Sequence, residues 1–382
     1  MPRPASRTLA APALREVERP RSAPPLGRAG EGPRVPLSAG DSHSLAVHAD
    51  GSVWAWGASA SGLREEGALS RRFAPVPVPG LSDIVSVAAG GAHSLAVRAD
   101  GTLWTWGGNP YGQLGDGTTT ARALPVQVAG LSGVRAVATG LGHSLALRAD
   151  GTVWAWGLNQ FGQLGDGTTS QWLTPRPIPG LSGVRSVAAG GFHSLVVRDD
   201  DTVWAWGSND YGELGDGSTS RRAVPRAIPG LRNVASVAGG CYHSLAVHAD
   251  GTLSAWGLNS YGQLGDGTFS NRATPRPVPG LSGVRCVATS FFHSLALRAE
   301  GTVWAWGLNG YGEQGDGTAS RQSPTPRPVP GLSGVLSVAT GTFHSLAVNT
   351  NGTVSAWGHN GQGQLGDGTA THRSTPVTVL KR

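Results

Sequence analysis

The chain of 382 residues has two cysteines and one methionine, and only 14% of its residues are charged. Two cysteines set no disulfide framework, and Cys241 and Cys286 stand where the residues in other copies of the repeat described below include Ala, Gly, Phe and Ser. No apolar run approaches the ~20 residues of a membrane span, and the N-terminus lacks the apolar segment of a signal peptide. These absences predict a soluble, cytoplasmic protein with no membrane contact, or an extracellular one if its natural start lies upstream. The net charge of +6 also excludes less than it suggests. Residues 1–34 hold seven arginines and three glutamates, so four of the six net charges sit in a Pro-, Ala- and Arg-rich segment, and the remainder is nearly neutral. That composition is the mark of a disordered arm, with at most a weak polyanion contact.

What the chain has in abundance is glycine, 59 residues, and proline, 26. Both break helices, so many short strands joined by tight turns are expected. His-Ser-Leu recurs at His43, His93, His143, His193, His243, His293 and His344, each step fifty residues except the last, which is fifty-one. A period of this size means one supersecondary unit copied along the chain. The copies run in register from about Val35 to the C-terminus, which predicts a single repeat domain over 35–382 behind the tail 1–34.

The unit from Thr174 to Gly207 divides into four extended segments, TPRPI, VRSVAA, HSLVVR and TVWAW. Short links join them: PGLSG, a Gly-Gly-Phe turn, and a polar turn at Asp199 to Asp201 that most copies write Ala-Asp-Gly. A four-stranded antiparallel meander follows. Loops of about seventeen residues, such as that after Gly157, separate each Trp-Gly from the next Pro-containing strand and are expected to cross between sheets. Alternation puts Trp204 and Trp206 on one face and Val203 and Ala205 on the other, so that stacked sheets set bulky faces against small ones. Prolines at 175 and 177 place their strand at a sheet edge.

The array starts at Val35 without a Thr-Pro strand and stops after one at 375–380. The expected fold is therefore all-β, a closed seven-bladed propeller whose C-terminal strand 376–380 joins the N-terminal blade of residues 35–57. An open solenoid would need polar capping repeats, which are absent from the pattern.

The units V-x-x-V-A-A-G-G-x-H-S-L-A, D-G-T-V-W-A-W-G and N-x-[YF]-G-[QE]-L-G-D-G-T resemble the regulator of chromosome condensation repeat family, over about nine-tenths of the chain. The resemblance implies a seven-bladed propeller. Its functional implications differ from member to member. The founding member is a nucleotide exchange factor for the small GTPase Ran and uses an inserted wedge; here no repeat gains more than one residue, near Gln322 to Pro324. The plant UV-B photoreceptor uses tryptophans before the repeat histidine, where this chain has Ser42, Ala92, Gly142, Phe192, Tyr242, Phe292 and Phe343. A bacterial relative inhibits β-lactamase through aromatics on one propeller face.

Function has to be read where the copies differ, because a residue present seven times is a poor candidate for a unique catalytic group. The second and fourth strands of a unit run parallel, so the Gly-x-His turns and long loops emerge on one face and the PGLSG and Ala-Asp-Gly turns on the other. On the first face Phe192, Tyr242, Phe292 and Phe343 make four consecutive blades aromatic, either as anchors for a partner or as a plug in the channel mouth. Trp172, read as lying in a long loop where other copies have arginine, and Phe269 share that face, as do Arg71, Arg72, Arg221, Arg222, Arg321 and Arg373. The repeat histidines are expected to hold their turns by bonding local backbone, and seven symmetric positions do not converge on a metal. The Gly-Asp-Gly-Thr turns lack the closely spaced carboxylates of calcium loops. The reading is a monomeric, non-enzymatic module without cofactor that binds a protein or peptide through one face. Its rivals are an exchange factor, a secreted enzyme inhibitor and a sugar-binding propeller.

Overall fold

The computed structural model describes residues 37–58, 71–319 and 322–380; the tail 1–34 and the first long loop, which reads SGLREEG at 61–67 where other copies have GQLGDGT, lie outside them. The described residues form seven four-stranded antiparallel sheets, each with its strands in chain order. These are blade 1 (37–77), blade 2 (84–127), blade 3 (134–177), blade 4 (184–227), blade 5 (234–277), blade 6 (284–328) and blade 7 (335–380). In blade 4 the inner strand is Val184–Ala189, the second His193–Arg198, the third Val203–Gly207 and the outer Arg222–Ala227. Inner strands of successive blades pack side by side around the axis, the first against the last.

The blades adhere as the alternation predicts. Leu195, Val197, Val203 and Ala205 of blade 4 pack on Trp256 of blade 5, while Trp206 of blade 4 lies on Leu145, Val153 and Ala155 of blade 3. The second tryptophan of each Trp-x-Trp strand is fully buried in this way, and truncating one to Ala would cost on the order of 3–5 kcal/mol. Asp201 holds a left-handed φ of 62° where the other copies put glycine, as at Gly101 with φ 80°. The short polar side chain of Asp tolerates that region, and Arg185 pairs with it at 2.7 Å.

The expected closure is not what occurs. The terminal strand Arg373–Leu380 pairs with Val354–Gly358 of its own blade, Val377 opposite Ala356 and Thr378 opposite Ser355. Blade 1 is complete without it, since Leu37–Ala39 pairs with His43–Val47 and Arg71–Pro77 supplies the outer edge. Each Pro-containing strand thus closes the blade before it, and PGLSG, rather than the long loop, is the link between blades. The long loop cannot cross because it curls around a buried asparagine. Asn209 Nδ2 donates to the carbonyls of Ser218 and Ser220, and its Oδ1 accepts the Leu214 N–H at 2.9 Å, which returns the chain to the same sheet. There the outer strand bulges: Ala205 faces Arg226 but Gly207 faces Arg222, which lets Pro225 sit without a ladder bond to donate.

Ring closure uses the contact that joins the other described loops to their neighbours. Each long loop among the described residues latches onto the outer strand of the next blade through a glycine N–H, as Gly167 to the Ala223 carbonyl at 2.9 Å, and Gly368 to the Phe73 carbonyl at 2.7 Å does the same from blade 7 to blade 1.

Candidate functional site

The loop face stands on a buried ring of histidines and serines. Nε2 of each repeat histidine meets the serine that follows the histidine of the next blade: His43 with Ser94, His93 with Ser144, His143 with Ser194, His193 with Ser244, His243 with Ser294, His293 with Ser345, and His344 with Ser44, all within 2.9–3.2 Å. Among the described residues six of these serines donate onward to a loop carbonyl, Ser194 to Gln163 at 2.8 Å and Ser44 to Gln364 at 2.8 Å among them, so the histidine facing each of the six must be the donor and its proton sits on Nε2. The same Gln163 carbonyl accepts the Trp206 indole N–H at 2.8 Å. The partner is therefore the neighbouring blade and not the local backbone the sequence suggested. Burial pushes the imidazoles down to about 3, and His43 to about 4, so they are neutral. Nδ1 of His93, His143, His193, His243 and His344 has no partner, and glycine fills the space beside it. In blade 6 Ser290 replaces that glycine, and its hydroxyl donates to His293 Nδ1 at 3.1 Å. Buried Ser-His pairs with no carboxylate behind them are structural ties rather than nucleophiles.

Above this ring the blades diverge. The axial mouth is lined by the residue two before each histidine, including Asp41, Leu141, Cys241, Phe291 and Thr342. Phe192, Tyr242, Phe292 and Phe343 sit one position further out and do not line it, so the plug reading fails. All four are half-buried, in edge-on or tilted contact with rings of the preceding loop: Phe161 with Phe192 at 5.0 Å, Tyr211 with Tyr242 at 5.2 Å, Tyr261 with Phe292 at 4.7 Å and Tyr311 with Phe343 at 5.6 Å. Each pair spans one blade boundary. At the far end Tyr311 also meets His359 and the stacked His372, 4.6 and 5.0 Å away, and burial holds the His359 imidazole below its usual range. Arg221, paired with Asp210 at 2.8 Å, caps the Phe161 ring at 4.5 Å.

On the opposite arc, Gly142 and Ser42 leave the rim low. Asp41 is the charged residue at the axial mouth; Thr342 Oγ1 donates to it at 2.9 Å, and burial raises its carboxyl to about 6. In blade 5, whose Cys241 also lines the mouth, burial pushes the thiol far up and leaves it unreactive.

The other expected site residues are not brought into the arc. Trp172 opens the outer strand Trp172–Pro177 of blade 3 instead of lying in the loop, with the Arg176 guanidinium 3.4 Å over its ring. Phe269 is 48% exposed on its loop and makes no ring contact among the described residues. Arg222 and Arg373 are spent on Asp216 and Asp367, so they form no free basic rim, and Arg321 lies outside the described residues.

With this geometry in view, the chain can be set beside known proteins. The description of the RCC1-like domain matches residues 13–237, and that of the regulator of chromosome condensation (RCC1) repeat matches residues 250–297 and 300–348. The chain belongs to the RCC1 repeat family. Within the family, RUG3, a mitochondrial RCC1 domain-containing protein of Arabidopsis thaliana, is 43% identical over 56 residues, 14% of this chain and 13% of RUG3. The human E3 ubiquitin-protein ligase HERC2 is 45% identical over 56 residues, 1% of its length. The chain thus matches only a small part of these relatives. Among solved structures, human WBSCR16 superposes with a TM-score of 0.77 at 28% identity, covering 86% of this chain and 94% of that one. Prp20p of Saccharomyces cerevisiae gives 0.75 at 26% identity, covering 91% and 87%; its structure is described together with its binding to Gsp1p and histones.

In this RCC1 propeller the residues that sequence reasoning passed over are Phe161, Tyr211, Tyr261 and Tyr311. They were visible as the [YF] of the N-x-[YF]-G loop signature. Only the latch of each loop onto the next blade shows that this position reaches the residue before the next histidine.

Proposed function

We propose that the loop face docks a protein partner through the aromatic arc of blades 3 to 7. The observation that carries this is the repetition of one aromatic pair at four consecutive blade boundaries over a scaffold that is nearly invariant around the ring. Invariant packing has no use for the asymmetry, since Gly142 and Ser42 serve the same position elsewhere. Rigid, half-buried rings offer large contact area at low entropic cost. Asp41, central and asymmetric, would take a basic group of the partner, and His359 and His372 bound the arc at its polar end. Likeness to Prp20p, studied with the proteins it binds, supports a macromolecular partner over a sugar.

A second reading, nucleotide exchange on a small GTPase, is favoured by the same likeness and by the family resemblance. Both are tested on the full chain. The retained partner is first identified by affinity capture, and Phe192, Tyr242, Phe292 and Phe343 are then changed to Ser or Ala, residues that Ser42 and Ala92 show the position accepts. Loss of at least ~2 kcal/mol in affinity is expected, about thirtyfold in Kd. Unchanged affinity by calorimetry would sink the assignment, and acceleration of nucleotide release from a captured GTPase would select the exchange reading.

A further inference from the structure

In four of the long loops the aspartate of the Gly-Asp-Gly turn is neutralised by an arginine that opens the outer strand of the same blade. Asp116 pairs with Arg122, Asp216 with Arg222, Asp266 with Arg272 and Asp367 with Arg373, through Oδ2 at 2.5–2.8 Å. These carboxylates are thereby left only 6–9% exposed. Blades 3 and 6 break the pattern, because Trp172 and Ser323 take the arginine's place. Asp166 keeps the neutral contacts of its siblings, from Thr168 Oγ1 at 2.9 Å and Asn159 Nδ2 at 3.2 Å, but has no cationic partner among the described residues. Arg176, the nearest candidate in sequence, is committed to the Trp172 ring.

Asp166 also heads a groove on the flank of the ring. Because the blade 3 loop latches onto the outer strand of blade 4, the carboxylate stands beside Pro179 and Leu181 of the interblade link and Trp204, Val224 and Pro225 of blade 4. The groove continues along that outer strand past Arg226. Among the described residues, only this boundary combines these walls with an Asp that lacks an arginine. Val224, 41% exposed, stands where blades 3, 5, 6 and 7 have Thr174, Thr274, Thr325 and Thr375 and blades 1 and 2 have Ala74 and Leu124, and blades 5 and 7 replace the tryptophan with Ser254 and Ser355. The Trp204 indole is held in place by its own N–H donating to Thr202 and by Arg198 on its ring, 5.2 Å away.

We propose that the flank between blades 3 and 4 is a second binding site, for an extended peptide whose arginine pairs with Asp166 while an adjacent proline or aliphatic side chain lies on Trp204 and Val224. The ligand supplies the guanidinium that four sibling loops supply for themselves, and the planar fork of arginine suits a carboxylate already held on its neutral side. Proline-bearing segments dock against Trp- and Pro-lined grooves with little conformational entropy left to lose. The site is remote from the aromatic arc and does not depend on its role.

The test uses the full chain with nitrogen-15 label and the pentapeptide acetyl-Ala-Pro-Pro-Leu-Arg-amide, following the Trp204 indole resonance assigned with Trp204→Phe. A saturable shift of that resonance is expected, weakened at least about fivefold when citrulline replaces the arginine or when Asp166→Asn removes the charge. The deciding variant is Trp172→Arg, which rebuilds the sibling ion pair, should fold as its siblings do, and should block the peptide by the same factor. Binding should persist when the four rim aromatics are replaced. Absence of a saturable shift up to about 10 mM peptide, equal binding of the citrulline peptide, or undiminished binding to Trp172→Arg would overturn the proposal.

Discussion

Lowering the pH should unfold this propeller well above the range where its exposed turn carboxylates titrate, because the ring of seven imidazoles cannot be charged without being broken. In the folded protein burial holds these groups at about 3, and His43 at about 4, against about 6.5 in an unfolded chain. Their folded values are depressed, so above pH 6.5 neither state binds a proton and nothing is lost. As pH falls below 6.5, the unfolded chain takes up protons that the native ring refuses, and stability declines until the folded values are reached. Each histidine contributes about 1.4 kcal/mol per pH unit over that window. At pH 5 this is roughly 2 kcal/mol per residue and on the order of 14 kcal/mol for seven, as much as the whole stability of a typical domain. The figure does not depend on how far below pH 5 the folded values lie. Asp41 works in the opposite sense: its folded value, raised to about 6, adds stability as pH falls, but roughly 1.4 kcal/mol at pH 5. Burial raises Glu213 and Glu313 likewise, so they soften the loss without reversing it. Urea unfolding followed by tryptophan fluorescence at pH 7, 6 and 5 should give steeply falling midpoints, with potentiometry showing uptake of about six protons on unfolding at pH 5. Equal midpoints at pH 7 and 5, or a loss confined below pH 4, would refute the buried-neutral ring.

Deletion of residues 373–382 should lower the melting temperature by several degrees and expose the amides of Val354–Gly358 in blade 7 to hydrogen exchange; protection lost in blade 1 instead would restore the strand-sharing closure. Ser290→Gly removes the donor to His293 Nδ1 and should cost about 1 kcal/mol in chemical denaturation, whereas a gain in stability would mean that the hydroxyl is merely tolerated. Asp201→Gly relieves a left-handed backbone and should change stability by less than about 1 kcal/mol, the loss of the half-exposed Arg185 pair offsetting the gain; a large loss would assign that ion pair a greater role.

The period of fifty, the placement of Gly and Pro, and the alternation of Trp with Val and Ala are local properties. Strand limits, the number of blades, the separation of turns into two faces and the packing of bulky sheet faces on small ones could all be read from them. So could the aromatic residues before His193, His243, His293 and His344, since they differ against a constant background. What local pattern cannot decide is which of two neighbouring sheets a strand completes. A fourteen-residue loop and a six-residue link are each long enough to bridge either gap, so local pattern alone places the Thr-Pro strand in the wrong blade, and the closure with it. The choice is made by Asn209 and its equivalents curling the loop back on itself, and by the glycine latches onto the next outer strand. The same non-local contacts carry Phe161 to Phe192, His193 to Ser244 and Asp166 to Trp204, pairs separated by 31 to 51 residues in the chain but joined across one blade boundary. In a ring of repeats, each blade's sequence sets its own strands, and its chemistry is completed only by the loop and rim of its neighbour.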